Sequence, residues 1–80
     1  MKISIIGSGY VGLCSAVGFG LMGNSVVCID LDKSKVDKIN KGRIPFFEKD
    51  LEKNLKKCIK NKRIRATTDI QEIKDSDITF

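Results

Sequence analysis

The apolar positions in the first part of the chain change their spacing at the glycines. The run "KISII" is rich in β-branched residues and predicts a buried strand. Residues 10–22 have helical spacing, and Gly23 follows at the position where a helix commonly ends. The apolar residues of this helix recur every three or four positions: Val11, Cys14, Val17 and Leu21. The run "SVVCID" then predicts a second strand.

Two further helices are predicted before the next strand. Asp32 is a typical N-cap for a short helix over residues 33–40, which Gly42 ends. The segment "RIPFF" is expected to be a loop. Residues 48–59 follow with one apolar face and are predicted to form a third helix. This face consists of Leu51, Leu55, Cys58 and Ile59.

The last residues predict a third strand, a short helical turn and a fourth strand. The run "RIRAT" has strand character, and "DITF" begins another strand. Between them, either Thr68 or Asp69 can cap a helical turn that carries Ile70 and Ile73. The resulting order, β-α-β-α-α-β-α-β, predicts parallel pairing with right-handed crossovers. We therefore expect an α/β fold of the Rossmann type: a doubly wound parallel sheet, truncated to about four strands in the order 3-2-1-4.

No charged residue occurs from Ile3 to Ile29. A membrane-spanning helix would need about 20 consecutive apolar residues, and a signal peptide would need an unbroken apolar core. Six glycines and several serines interrupt this run, so the sequence favours neither class. We expect the run to be buried between the sheet and the neighbouring helices.

The run also contains the motif G-x-G-x-x-G between the first strand and the first helix. Gly7 would allow a sharp turn, Gly9 would let the backbone approach a pyrophosphate, and Gly12 would let the helix pack closely on the strand. The N–H groups around Tyr10 and Val11 would then point at the anion, at the positive end of the helix dipole. The sequence therefore predicts a dinucleotide-binding turn.

An acidic residue at the end of the second strand supports this interpretation. Asp30 lies 18 residues after Gly12, where a carboxylate can accept hydrogen bonds from ribose hydroxyls. Because it would repel the 2′-phosphate of NADP, it favours NAD, with FAD as the lesser alternative. Asp32 is interpreted as a helix cap rather than a second ribose ligand. From spacing alone, Lys35 is as consistent with a surface charge as with a ribose contact.

Net charge and cysteine content change this picture little. The chain carries a net charge of +5 and has basic residues concentrated in residues 53–65. This cluster has no interleaved aromatic residue, so we interpret it as a solvated helix face and not as a nucleic-acid site. Cys14, Cys28 and Cys58 form no metal-binding pattern, and there is no histidine. They are interpreted as structural thiols of a cytoplasmic protein, and we predict no metal site.

Three segments resemble the N-terminus of the UDP-glucose/GDP-mannose dehydrogenase family. They are "MKISIIGSGYVGLCSAVGF", "VVCIDLDKSKVDKINKGRIPFFEKDLE" and "RIRATTDIQEIKDSDITF". The most specific part is G-x-x-P-x-x-E at Gly42, Pro45 and Glu48, because a generic Rossmann domain has no such loop and helix. The resemblance implies that residues 1–80 are the N-terminal part of the dinucleotide-binding domain of a longer protein.

The resemblance also implies an activity, with UDP-glucose 6-dehydrogenases as the most similar members. It implies a four-electron oxidation of UDP-glucose to UDP-glucuronate with two NAD; GDP-mannose and UDP-N-acetylmannosamine are alternative substrates. Val11 would lie at the pyrophosphate, and Asp30 and Lys35 would hold the adenosine ribose. The catalytic cysteine of the family lies in a later segment, so we assign no catalytic residue here. The full-length protein is expected to be a homo-oligomer without nucleic-acid or membrane partners.

A regulatory NAD-binding module is a further alternative. Such modules also begin with a strand, the glycine turn, a helix, a second strand and an acid. They lack the "GRIPFFEKDLE" segment, which favours the dehydrogenase over the module.

Overall fold

The computed structural model describes residues 1–7, 9–44 and 48–80. Their strands are β1 Lys2–Ile6, β2 Ser25–Ile29, β3 Ile64–Thr67 and β4 Ile78–Thr79. Their α-helices are α1 Tyr10–Leu21, α2 Lys33–Asn40 and α3 Lys49–Lys60, and a 3₁₀ helix spans Ile70–Asp75. Each predicted element is present within one or two residues of its expected bounds. Of the predicted loop "RIPFF", residues 45–47 lie outside the described residues.

The strands form one parallel sheet in the order β3-β2-β1-β4. Ile3 is aligned with Val26, and Val26 with Ile64, which fixes the register of the first three strands. β4 pairs with the other edge of β1. The predicted fold class and strand order are therefore confirmed.

The predicted helix ends are also found. Asp32 caps α2 by accepting hydrogen bonds from two backbone N–H groups of the first turn. Asp69, and not Thr68, caps the 3₁₀ helix. Gly42 follows α2 with a φ of +76°, and a Cβ there would lie 2.6 Å from Cγ of Lys56 on α3. This position therefore needs a glycine both for its backbone angle and for the packing of α3.

The two faces of the sheet are covered differently. On one, which we call the helix-covered face, Ile3, Val26 and Ile64 pack in a cluster with residues of α1, α2 and α3. The neighbouring positions Ser4 and Arg65 lie on the opposite face, which we call the second face, because side chains alternate along a strand. There the 3₁₀ helix and its C-cap supply the contacts: Ser4 with Ser76, and Arg65 with Glu72.

Helix α1 departs from the expected burial. Its buried residues are Leu13, Ala16, Val17 and Gly20. Val11 is 76% exposed and Leu21 is 48% exposed, so the expected burial of the uncharged run is found on one side of α1 and not on its outer side. The reason is geometric: one side of the helix packs on the sheet and α3, and no described residue covers the other side.

The outer edge of β3 is occupied by a side chain. The amide of Asn40, the last residue of α2, donates to the Ala66 carbonyl at 3.0 Å and accepts from the Ala66 N–H at 2.8 Å. This pair of bonds imitates the pairing that a further strand would provide. It satisfies polar groups that an edge strand otherwise exposes.

Candidate functional site

The fold brings the predicted site residues together at the carboxyl ends of the strands. α1 leaves β1 on the helix-covered face, whereas the 3₁₀ helix leads into β4 across the second face. Connections that diverge to opposite faces open a crevice between the two strands, and ligands of doubly wound sheets bind at such a point. The backbone confirms that β1 and β4 are adjacent here, since the Ile6 N–H donates to the Phe80 carbonyl at 2.9 Å.

The three motif glycines have different surroundings. Gly7 has a φ of +90°, and its N–H donates to the Ile29 carbonyl at 2.7 Å, so the chain turns sharply beside β2. A Cβ on Gly12 would lie 2.7 Å from the Gly7 carbonyl oxygen and 3.5 Å from Cγ2 of Ile5 in β1, so α1 packs closely on the turn and on the end of the strand here. A Cβ on Gly9 would meet no atom of the described residues within 4 Å. These residues therefore leave the space at Gly9 open.

The N-terminus of α1 suits an anion. Gly9 is the N-cap, its carbonyl accepts the Leu13 N–H at 2.9 Å, and it offers no side-chain cap to the first turn. The first turn also contains no acidic residue. By contrast, a carboxylate occupies the same position of α2, where Asp32 is the cap. A helix start whose N-cap residue supplies no side-chain cap, at the positive end of the helix dipole, is a phosphate-binding arrangement, so these residues fit the pyrophosphate of a dinucleotide.

The acidic residue expected at the ribose lies immediately after β2. Asp30 is half-buried, and its N–H donates to the Thr67 carbonyl at 3.1 Å, which ties it to the end of β3. Its Oδ1 atom accepts the Asp32 N–H at 2.9 Å. Lys35 lies exposed in the first turn of α2, three residues after the Asp32 cap. The short loop and the helix start thus bring the two predicted ribose residues to one end of the sheet.

Tyr10 has neighbours that the sequence analysis missed. A hydrogen bond and a Coulombic interaction with Cys14, together with the nearby carboxylate of Glu48, raise the pKa of the Tyr10 phenol. Cys14 lies one helical turn after Tyr10, a spacing that could have suggested the contact. Glu48 is the N-cap of α3, so the start of the family-specific helix lies near the glycine turn.

A cleft of about 250 Å³ lies at the opposite end of the sheet. It is lined by the first residues of the strands and by the 3₁₀ helix, among them Lys2, Ser25, Arg63 and Asp75. Both signs of charge occur there, and none of the predicted site residues lines it. The glycine turn has the chemistry that the motif predicts, and it is therefore the candidate site.

The basic cluster and the cysteines have the surroundings expected of structural residues. Arg63 donates to the Gly23 carbonyl at 2.9 Å, and the lysines of α3 are exposed, with Lys56 paired to Glu52 on the same helix. All three cysteines are free of disulfide bonds, and burial raises the pKa of the Cys28 thiol to about 12.

Within the described ranges, no three potential ligands come together to hold a metal ion. Nor is any helix in those ranges long and apolar enough to cross a membrane.

Comparison with known proteins gives matches over the whole chain. The model of the UDP-glucose/GDP-mannose dehydrogenase family, NAD binding domain, matches residues 1–80. Protein MJ1054 of Methanocaldococcus jannaschii is 51% identical over 80 residues, which are 100% of this chain and 9% of that protein. The UDP-glucose 6-dehydrogenase of Rhizobium meliloti is 41% identical over 81 residues, 100% of this chain and 18% of that enzyme.

The fold also matches that of a solved structure. A ternary complex of GDP-mannose dehydrogenase from Pseudomonas aeruginosa superposes with a TM-score of 0.95 and 38% identity, over 100% of this chain and 19% of that one. The chain thus spans about a fifth or less of the length of these proteins. Since the glycine turn, the acid after β2 and the additional helix α3 are found in one fold, NAD is the cofactor, and the chain belongs to the UDP-glucose/GDP-mannose dehydrogenase family.

Proposed function

We propose that residues 1–80 are the N-terminal part of the NAD-binding domain of a longer nucleotide-sugar dehydrogenase that oxidises UDP-glucose to UDP-glucuronate with two NAD. The observation that carries this proposal is the start of α1, where the N-cap Gly9 supplies no side-chain cap and a Cβ added to it would meet no atom of the described residues within 4 Å. The 41% identity to a UDP-glucose 6-dehydrogenase supports the choice of substrate. A homo-oligomeric state of the complete protein is part of the same proposal.

Each site residue has a separate role in this proposal. The N–H groups of the first turn of α1, around Tyr10 and Val11, bind the pyrophosphate. Gly9 gives the phosphates room to approach the backbone. Asp30 accepts hydrogen bonds from the adenosine ribose, and Lys35 contacts the same ribose from the first turn of α2. Bound NAD would supply a hydride acceptor, and the residues of this chain bind and orient it without taking part in covalent chemistry.

A second substrate is favoured by a specific observation. The solved GDP-mannose dehydrogenase is 38% identical to this chain and superposes with a TM-score of 0.95. Residues that bind the cofactor do not distinguish one nucleotide sugar from another, so GDP-mannose is the main alternative to UDP-glucose, and UDP-N-acetylmannosamine is a further one.

The substrate is tested with the protein expressed from its complete reading frame. NAD is added together with UDP-glucose, GDP-mannose or UDP-N-acetylmannosamine, and NADH formation is followed. Two NADH per molecule of UDP-glucose, and none with the other sugars, are expected. Turnover of another sugar would change the substrate. NAD binding without any turnover would contradict the dehydrogenase and favour a regulatory module.

The binding site is tested by two glycine variants with matched surroundings. A Cβ added at Gly9 or at Gly18 would have no atom within 4 Å in the part of the chain that the structure describes, and Gly9 has a φ of −70°, which any residue can adopt. Gly9→Ala should therefore fold normally but weaken NAD binding at least about tenfold, a loss of about 1.4 kcal/mol, because its methyl group occupies the space of the pyrophosphate. Gly18→Ala should leave the affinity unchanged. Equal affinities of the two variants in calorimetric titration would place the pyrophosphate elsewhere.

A further inference from the structure

In the loop after β2, a hydrogen bond from a backbone N–H holds the side chain of Asp30. The Asp32 N–H donates to Oδ1 of Asp30 at 2.9 Å. Oδ1 of Asp32 in turn accepts the Ser34 N–H at 2.9 Å and, more distantly, the Lys35 N–H at 3.4 Å. Successive hydrogen bonds therefore connect the Asp30 carboxylate, the predicted ribose ligand, through Asp32 to the first turn of α2.

The chain contains the same arrangement a second time, after β3. There the Asp69 N–H donates to Oγ1 of Thr67 at 3.1 Å, and Oδ1 of Asp69 accepts the Gln71 N–H at 2.9 Å. The two caps have nearly identical backbone angles, with φ −83° and ψ 104° at Asp32 and φ −87° and ψ 104° at Asp69. Since a threonine hydroxyl suffices after β3, the turn itself does not require a carboxylate at its first position.

We propose that Asp32 is a positioning residue for the cofactor: its side chain caps α2, and this cap holds in place both the Asp32 N–H that donates to the Asp30 carboxylate and the helix turn that carries Lys35. This inference rests on the proposed function, and it assigns Asp32 no direct contact with the ribose. The carboxylate is the element that distinguishes this loop from its counterpart after β3, and the turn is the element that the two loops share.

The physical basis is preorganisation. A carboxylate rotates almost freely about its last torsion, so a group held through one oxygen loses less entropy when the ribose binds. The cap also orders the site before the cofactor binds, because an N-cap aspartate satisfies backbone N–H groups that would otherwise lack partners within the helix. Without it, the first turn of α2 frays and Lys35 loses its fixed position.

The test compares Asp32→Ala, Asp32→Asn and Asp69→Ala in the protein expressed from its complete reading frame. Asp32→Ala should raise the NAD dissociation constant about tenfold, and should raise KM for NAD with kcat unchanged, because the adenosine ribose is remote from the reacting end of the cofactor. Asp32→Asn should recover most of the lost affinity, since asparagine is an equally good N-cap. Asp69→Ala removes a matched cap and should leave NAD binding unchanged.

The outcomes separate this inference from the function on which it rests. If the unaltered protein does not bind NAD, the proposed function fails. If it binds NAD and Asp32→Ala binds equally well, only the positioning role fails. If Asp32→Asn is as weak as Asp32→Ala, Asp32 acts through its charge and not as a cap. If Asp69→Ala loses the same affinity, the effect of Asp32 is general destabilisation; either result overturns the inference.

Discussion

The helix-covered face and the second face are built from adjacent residues of the same strands, yet they differ in chemistry. Ile3 and Val26 pack against α1, α2 and α3 and are each only 3% exposed. One position further along β1, Ser4 is fully buried on the second face, but it is paired by a hydrogen bond with Ser76. A hydroxyl in the corresponding apolar layer would have no such partner, and burying it would be costly.

The two faces differ in what they contribute: the helix-covered face chiefly stabilises the fold, and the second face shapes the end of the sheet where the candidate site lies. The helix-covered face buries most of the apolar surface, and burial of such surface is the main favourable contribution to folding. The second face is covered by the short 3₁₀ helix, whose contacts with the strands include Arg65–Glu72 and Ser4–Ser76. That crossing on the second face, opposite α1, leads into β4, which pairs with β1 just before Gly7. In the proposed function, the less extensively covered face therefore determines where NAD binds, and we expect it to contribute less to stability.

The largest expected effect is the loss of a core side chain on the helix-covered face. Leu55 of α3 is fully buried, so Leu55→Ala should lower the free energy of unfolding by about 2–5 kcal/mol. Ile73 of the 3₁₀ helix is only half-buried, and Ile73→Ala should cost about 1 kcal/mol or less. Urea denaturation measures both. Equal losses would mean that the two faces contribute alike.

Most of this architecture is predictable from the sequence because it depends on local patterns. The β-branched runs, the caps Asp32 and Asp69 and the glycines after the helices fix the elements through backbone propensity alone. The strand order follows from the known handedness of βαβ units. The site is predictable to the same extent, because the glycine motif and Asp30 are separated by one helix and one strand of ordinary length.

The remainder depends on contacts between distant residues. The pairing of Asn40 with Ala66 joins residues 26 positions apart, and no local pattern marks an asparagine that protects a strand edge. The proximity of Glu48 to Tyr10 likewise follows from the packing of α3 beside α1. The exposure of Val11 was not predictable, because an apolar helix does not reveal from its own sequence which side has a partner.

The second effect concerns the thiol of Cys28, which lies on the helix-covered face and is 1% exposed. Burial raises its pKa from 9.0 to about 12. Between these values the unfolded chain loses the thiol proton and the folded chain keeps it. The contribution of this thiol to the free energy of unfolding is therefore fully present below pH 9 and is lost as the pH rises toward 12. The expected slope is at most about 1.4 kcal/mol per pH unit.

Cys28→Ala should flatten this decline when denaturation is measured at a series of alkaline pH values. Cys58 adds a contribution of the same sign, because burial raises the pKa of its thiol while neighbouring Lys57 lowers it. Some slope should therefore remain in the variant. If the two stability curves run parallel above pH 9, the interior of the helix-covered face is accessible to water at Cys28.

The smallest effect is expected on the second face, at the ion pair between Arg65 and Glu72. Nη2 of Arg65 lies 2.6 Å from Oε2 of Glu72, and their side chains are 56% and 28% exposed. Pairs of this exposure contribute about 0–1 kcal/mol and weaken with salt. Glu72→Gln should therefore lower the free energy of unfolding by less than about 1 kcal/mol, and less again at high ionic strength.

Glu52→Gln is the matched control for Glu72→Gln, because Glu52 pairs with Lys56 at 3.8 Å on the exposed side of α3. It should lower the free energy of unfolding even less. A loss at Glu72 that is comparable with that of Leu55→Ala and independent of salt would reverse the comparison, since the second face would then hold the fold as strongly as the apolar core does.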